Sequence, residues 1–381
     1  MTQNTQIAII GTGFSGLGMA IKLKEAGYND FVILEQSDDI GGTWHQNHYP
    51  GCACDVQSAL YSFSFEQNPN WSRMYAQQHE IKAYLKHCAE KYGLMKHIRL
   101  NTHVTGARFD ENRQRWTLET CDSPALWTYM QEKGVKPGDR LDRTDKGLPE
   151  FTSLRADVLV SGMGGLSTPA YPEIKGIESF TGKRFHSQDW DHGYDLRGKR
   201  VAVIGTGASA IQFVPEVAKQ AARVDLYQRT PPWIMPKPDR AIRPLEKRLF
   251  RMFPQTLNAF RQSIYWSLEA RVLGFVGNPR ILKLGELQAR RHIRNQIPDK
   301  ALRKKVTPDF HFGCKRVLIS NNYYPALAQD HVDVVTEGIR EVQGNTVIDG
   351  QGNERQVDCI IYGTGFRAQD PIPAGMIFGR N

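Results

Sequence analysis

Apolar positions along the chain fall into a pattern that occurs twice. Ile7–Ile10 is a short unbroken apolar run that stops at Gly11, and a helix-like spacing of apolar residues follows. Val201–Ile204 stops at Gly205 in the same way and again gives way to a helix-like stretch. Runs of this length without polar alternation predict strands buried on both faces, as in a parallel sheet covered by helices. FVILE (31–35) and VDLYQR (224–229) predict the next strand of each copy. ADVLVSGMGG (156–165) and VDCIIYGTGF (357–366) share an order of Asp, apolar run and Gly-x-Gly, and predict a closing strand for each. The expected fold is α/β, with two doubly wound Rossmann-like dinucleotide-binding domains, the second inserted in the first.

Between these runs the periodicity changes. IKAYLKHCAEKYGL (81–94) carries apolar residues at helical spacing, HVTGARF and RWTLET alternate as short antiparallel strands, and 241–305 is mostly helical. Residues 127–150 are polar and glycine-containing, and predict a surface excursion. The expected boundaries are 1–155 for the first part of one domain and 156–190 for its closing strand and a linker. The second domain is expected over 191–340, including the helical segment 241–305, with 341–381 returning to the first, which stays incomplete.

Each junction of run and helix reads G-x-G-x-x-G/A, as Gly11, Gly13 and Gly16, then Gly205, Gly207 and Ala210. The first glycine permits a tight turn, the second lets a pyrophosphate approach the backbone, and the third position lets helix pack on strand. One such motif is weak evidence, but two in the same strand–helix setting are strong. In the first copy the residue 24 positions past the opening glycine is Glu35; in the second it is Arg229. A carboxylate there accepts from a ribose 2′-OH, whereas a guanidinium neutralises a 2′-phosphate. The first site is therefore expected to take FAD or NAD and the second NADP, with Thr206, Ala208, Ser209 and Thr230 lining its turn.

Composition narrows the class. The chain has 381 residues and a formal charge of +9. Residues 237–305 hold seventeen Lys/Arg against five Asp/Glu, so the surplus lies in that segment. A local basic face suits an anionic cofactor, a nucleic acid or a membrane surface. No recognised nucleic-acid module accompanies the charge, so no nucleic-acid partner is expected, and membrane contact is not the favoured reading. No apolar run reaches the ~18 residues of a bilayer span, and no signal peptide is evident. Six scattered cysteines, the nearest pair being Cys52-Ala53-Cys54, fit reduced thiols in a cytoplasmic protein better than a zinc site or a disulfide framework. No histidine spacing predicts a metal, and no G-x-S-x-G elbow occurs.

Three further stretches carry a family resemblance. FTGKRFHSQDWD presents Phe180, Gly182, His186, Trp190 and Asp191 in the order F-x-G-x-x-x-H-x-x-x-W-[P/D]. GGTWHQNHYPGCACD (41–55) and GCKRVLISNNYYPAL (313–327) supply two more motifs. Together with the nucleotide motifs they resemble the Baeyer–Villiger monooxygenases, class B flavin-dependent monooxygenases, over nearly the whole chain.

The resemblance implies FAD and NADPH as cofactors and molecular oxygen and a small ketone as substrates, the ketone becoming an ester or lactone through a C4a-peroxyflavin. It implies that Arg316 stabilises anionic oxygen and that Asp55 orients Arg316. Gly42, Thr43, Trp44 and Asp55 are expected at FAD, with Ser15, Tyr61 and Val104 carried over by position alone. Lys315 is expected to join Arg229 at the 2′-phosphate, and His186 to act as a hinge residue of the linker rather than in proton transfer. Family members usually continue beyond the point where this sequence ends, so the C-terminal portion is expected to be lacking. Two alternatives stay open: an N- or S-oxygenating flavin monooxygenase, and a non-catalytic, inactive nucleotide-binding remnant. The sequence does not indicate the oligomeric state or which ketone is used.

Overall fold

The computed structural model describes residues 3–135, 141–277, 280–369, 372–373 and 375–380. Two compact units emerge. The first comprises 1–46, 79–170 and 366–381, and the second 47–78 and 171–365.

The first unit is built on β1 (Gln3–Ile10), α1 (Phe14–Glu25), β2 (Phe31–Leu34), α2 (Thr43–Gln46), α3 (Gln78–Lys91), β3 (Ile98–Arg99), β4 (Thr102–Asp110), β5 (Arg115–Asp122), α4 (Ser123–Lys133) and β6 (Thr152–Ser161). β1 runs parallel to both β2 and β6, with Ile9 opposite Ile33 and Val160. β5 joins β6 and β4 antiparallel, and Ile377–Phe378 completes a seven-stranded sheet at the β4 edge. The unbroken apolar runs are as buried as a covered parallel strand requires, since all four residues of β2 are buried.

The expected surface excursion over 127–150 is corrected in part, because 123–133 form α4. The helix has ordinary start and stop chemistry. The Asp122 carboxylate accepts from Ala125 N (2.9 Å), Pro124 occupies the first turn, and Gly134 ends it at φ +68. Leu126, Tyr129 and Met130 bury one face. Residues 136–140 of that stretch lie outside the described residues.

The second unit contains β7 (Lys183–His186), β8 (Arg200–Ile204), α5 (Ala210–Ala218), β9 (Arg223–Tyr227), β10 (Ile234–Met235), α6 (Pro244–Met252), α7 (Pro254–Glu269), α8 (Arg280–Gln296), α9 (Lys300–Val306), β11 (Leu318–Ile319), α10 (Tyr323–Leu327), β12 (Val332–Val335), β13 (Ile339–Gln343), β14 (Thr346–Asp349), β15 (Glu354–Gln356) and β16 (Cys359–Tyr362). Its parallel sheet has the order β12-β9-β8-β16-β7. The closing run Cys359–Tyr362 is thus inserted between β8 and the linker strand β7.

The unit boundaries differ from the expected ones at two places. Residues 341–365 stay with the second unit, because β13–β15 form an antiparallel sheet that leads directly into β16. Residues 47–78, expected in the first domain, also belong to the second unit. Their backbone pairs there: Met74 N donates to Arg240 O, and Ile242 N to Ser72 O, each at 2.9 Å.

Candidate functional site

The two glycine turns have the same division of labour. Gly11 (φ +95) and Gly205 (φ +107) adopt a left-handed conformation that side chains avoid. At the third position a Cβ on Gly16 would lie 1.9 Å from Gly11 O, so only glycine fits. In the second copy Ala210 is fully buried, and the close approach has moved to Gly363, whose Cβ would lie 3.0 Å from the Ala210 methyl.

The middle glycines are different. Gly13 has φ −75, which any residue adopts, and a Cβ there would find no protein atom nearer than 3.8 Å. Gly207 likewise has open space, its nearest neighbour being 3.9 Å away. Neither backbone strain nor protein packing requires glycine at these two positions. A pyrophosphate that approaches the backbone of the turn does require it. The residues present therefore fit a dinucleotide at each turn.

Glu35 closes the first turn. It is buried, and its carboxylate accepts from Thr12 N (2.9 Å), the Thr12 hydroxyl and Ser37 N (2.9 Å). Gly42 packs against Gly13, Trp44 is buried, and Thr43 stands beside Gly164 of the closing turn. Ser15 is exposed in the first turn of α1. Val104 is a core residue, packed with Ala8, Ile10 and Leu34. These residues lie in the first unit, whereas Asp55, Tyr61 and all others of the expected site lie in the second.

In the second unit the Thr206 hydroxyl donates to Thr230 O (3.1 Å), tying the turn to the end of the β9 strand segment. Ala208 and Arg229 are exposed there, and Ser209 immediately precedes α5.

The linker motif resolves into separate jobs. Phe180 is in the core, and a Cβ on Gly182 would lie 2.5 Å from Asp358 O. Trp190 packs between Phe185 and Phe213, with ring centroids 5.1 and 5.4 Å away. Asp191 accepts from Gly193 N and pairs with Lys183 at 2.6 Å. His186 has no exposed surface. Its Nδ1 accepts from Gln188 N and its Nε2 faces Gly365 O, both at 3.1 Å. The assigned tautomer therefore carries its proton on Nε2 and donates to Gly365. Burial pulls the imidazole down to about 4, so it is neutral at ordinary pH.

Asp55 and Arg316 are brought together, with Arg316 Nη2 donating to Asp55 Oδ2. The guanidinium remains 68% exposed and the carboxylate 27%. One side of the pair is held by a backbone ribbon. Cys54 N donates to Ala76 O (2.9 Å) and Ser58 N to Met74 O (2.7 Å), which sets Asp55 opposite Tyr75. Lys315, next to Arg316, is exposed and lies over the Phe310 ring at 4.8 Å. Tyr61 is half-buried in a turn, its N–H donating to Gln57 O.

The sequence reading missed two groups here. Lys237 places its ammonium 5.0 Å from the Tyr75 ring centroid. Burial lowers its pKa, partly offset by the carboxylates of Asp239 and Asp55. Asn321 clamps its backbone in both directions, at 2.9 and 2.7 Å. Gln212 on α5 grips the segment that carries Asp55: Nε2 donates to Ala53 O (2.9 Å), while Oε1 accepts from Ala53 N (3.2 Å) and the Tyr49 hydroxyl (3.0 Å). Neither belongs to a motif with a characteristic spacing. Only the closeness of Gln212 to Ala210 of the second glycine motif marked either of them.

Comparison with known proteins bears on the family and the fold. A family model for an NAD(P)-binding Rossmann-like domain matches residues 9–77, and one described as flavin-binding monooxygenase-like matches 156–274. A Baeyer–Villiger monooxygenase of Pseudomonas aeruginosa is 54% identical over 379 residues, which cover 100% of this chain and 67% of that protein. Another from Streptomyces coelicolor is 44% identical, covering 99% and 67%. The solved structure of OTEMO in complex with FAD and NADP superposes with a TM-score of 0.79 at 27% identity, covering 98% of this chain and 74% of that one.

Proposed function

The chain belongs to the Baeyer–Villiger monooxygenase family, and from that premise we propose that it uses FAD, NADPH and molecular oxygen to insert one oxygen atom beside the carbonyl of a ketone, giving an ester or lactone. The observation that carries the reading is the Asp55–Arg316 pair in the unit whose turn, Gly205–Ala210, fits a dinucleotide. Bound FAD, once reduced by NADPH, supplies the activation of oxygen.

The first unit is the FAD unit. Gly11, Gly13, Ser15 and Gly16 would hold the pyrophosphate at the turn and the start of α1, and Glu35 would accept from the adenosine ribose. Gly42, Thr43 and Trp44 border the same turn, and Val104 packs in the core with Ala8 and Ile10 of the strand that leads into it. The second unit is the NADP unit. Gly205–Ala210 and Thr230 hold the pyrophosphate end, while exposed Arg229 and Lys315 neutralise the 2′-phosphate.

Arg316 presents its guanidinium, a fixed cation, to negative charge developing on the ketone oxygen. Asp55 fixes its orientation. His186 stays neutral and holds the linker at Gly365 without entering proton transfer. All six cysteines are free thiols and five are buried, which supports a reducing compartment, and we assign the cytoplasm. Among the described residues no helix is long and apolar enough to cross a membrane.

The test is the visible spectrum of the purified chain supplied with FAD, before and after anaerobic NADPH. The proposal expects flavin bands that bleach. Retained flavin that NADPH leaves oxidised contradicts it.

A further inference from the structure

The segment Tyr49–Asp55 is strapped to the helix that opens the second nucleotide turn. Beyond the three Gln212 bonds described above, Tyr49 is buried with its ring edge-on to Phe213 of the same helix, centroids 6.0 Å apart. Gly51 (φ +80) crosses so close that a Cβ there would lie 2.7 Å from Gln212 O. Gln212 is the third residue of α5. It therefore sits within one turn of the N–H groups that meet a pyrophosphate. At the other end of the strap Asp55 holds Arg316, whose neighbour in sequence is Lys315.

We infer that Gln212 is a positioning residue for nucleotide selection: it ties Ala53, and through Asp55 and Arg316 also Lys315, to the phosphate-binding end of α5. This rests on the assignment of the second turn to NADP. The links form a ring. A nucleotide that holds α5 by its pyrophosphate and Lys315 by its 2′-phosphate closes that ring, whereas NAD, lacking the 2′-phosphate, leaves it open. Loosening Gln212 then weakens NADP more than NAD, although its side-chain amide is committed to Tyr49 and Ala53. A purely structural clamp would change both affinities alike.

The experiment is calorimetric binding of NADP⁺ and NAD⁺ to the whole chain and its variants, read as the dissociation constant of NAD⁺ divided by that of NADP⁺. Gln212→Met keeps the length of the side chain and removes all three bonds. The ratio is expected to fall roughly five-fold or more, the lower end of ordinary coupling between sites. Asp55→Asn removes the charge that holds Arg316, weakening the next link, and is expected to lower the ratio comparably. The double variant should fall no further, because both substitutions open one ring. Tyr49→Phe keeps the amide grip on Ala53 and should stay near the wild-type ratio.

Should Gln212→Met fail to fold by circular dichroism, Gln212→Glu decides, since it keeps an acceptor for Ala53 N and loses the donor to Ala53 O. An unchanged ratio in the folded Gln212 variant overturns the inference even if Asp55→Asn lowers it. A wild-type chain that binds both nucleotides equally overturns the 2′-phosphate assignment itself, and the inference with it.

Discussion

His186 offers a quantitative test of the linker. Its ring is fully buried and hydrogen-bonded to two backbone groups, and its folded-state value is about 4 against 6.5 for an ordinary histidine. A lowered value means that the unfolded chain binds the proton more tightly. The folded state therefore loses stability as pH falls from 6.5 through about 4, and the loss is complete below both values. At about 1.4 kcal/mol per pH unit the full effect is about 3 kcal/mol, of which about 2 kcal/mol falls between pH 7 and pH 4.5. His103, half-buried and also lowered to about 4 by desolvation, adds to the same window, so a difference measurement is needed. Urea unfolding of the wild type and His186→Asn at pH 7 and pH 4.5 isolates the ring. The variant starts less stable but should lose about 2 kcal/mol less on acidification. Equal losses in the two proteins would mean that His186 is not held neutral, and the argument for its fixed Nε2–H donor would fall.

Three further outcomes follow from the same geometry. Arg316→Ala should leave anaerobic flavin reduction by NADPH measurable while ester formation drops at least ~100-fold, as for loss of one preorganised donor; near-normal product yield in a gas-chromatographic assay removes Arg316 from the chemistry. Arg229→Ala should raise the KM for NADPH by roughly ten-fold or more and leave that for NADH nearly unchanged, because a charge-assisted contact is worth about 1.5–3 kcal/mol and only one of the two cofactors can make it. Gly16→Ala puts a methyl group 1.9 Å from Gly11 O and should destabilise by about 1–3 kcal/mol while releasing the flavin; a purified variant with wild-type flavin absorbance speaks against the turn.

Much of this was legible in the chain because local signals and long-range structure agree. The unbroken runs at 7–10 and 201–204 can only be covered strands, and each glycine turn follows directly from its strand. The closing strands at 156–161 and 359–362 were recognisable from a shared Asp–apolar–Gly order, and both pair with the first strand of their own copy. The allegiance of 47–78 was not legible. Its ribbon is short and irregular, and its partners at 240–242 and on α5 lie well over a hundred residues away, so no periodicity reports them. α4 was misread for a different reason. Asp122, Pro124 and Gly134 do mark its ends, but the polar stretch that follows masked its three buried hydrophobic side chains. Within the site, residues held in motifs were found, whereas Gln212 and Lys237, which act through a strap and a ribbon, had no spacing to announce them.

The central claim is oxygen insertion, and the measurement closest to it is isotopic. The chain, supplied with FAD, NADPH and a cyclic ketone under ¹⁸O₂, should yield a lactone that carries one ¹⁸O atom in its ring, read by mass spectrometry. NADPH consumed by a flavin-loaded protein with all of the label in peroxide or water, and none in lactone or ester across a panel of ketones, would contradict the account.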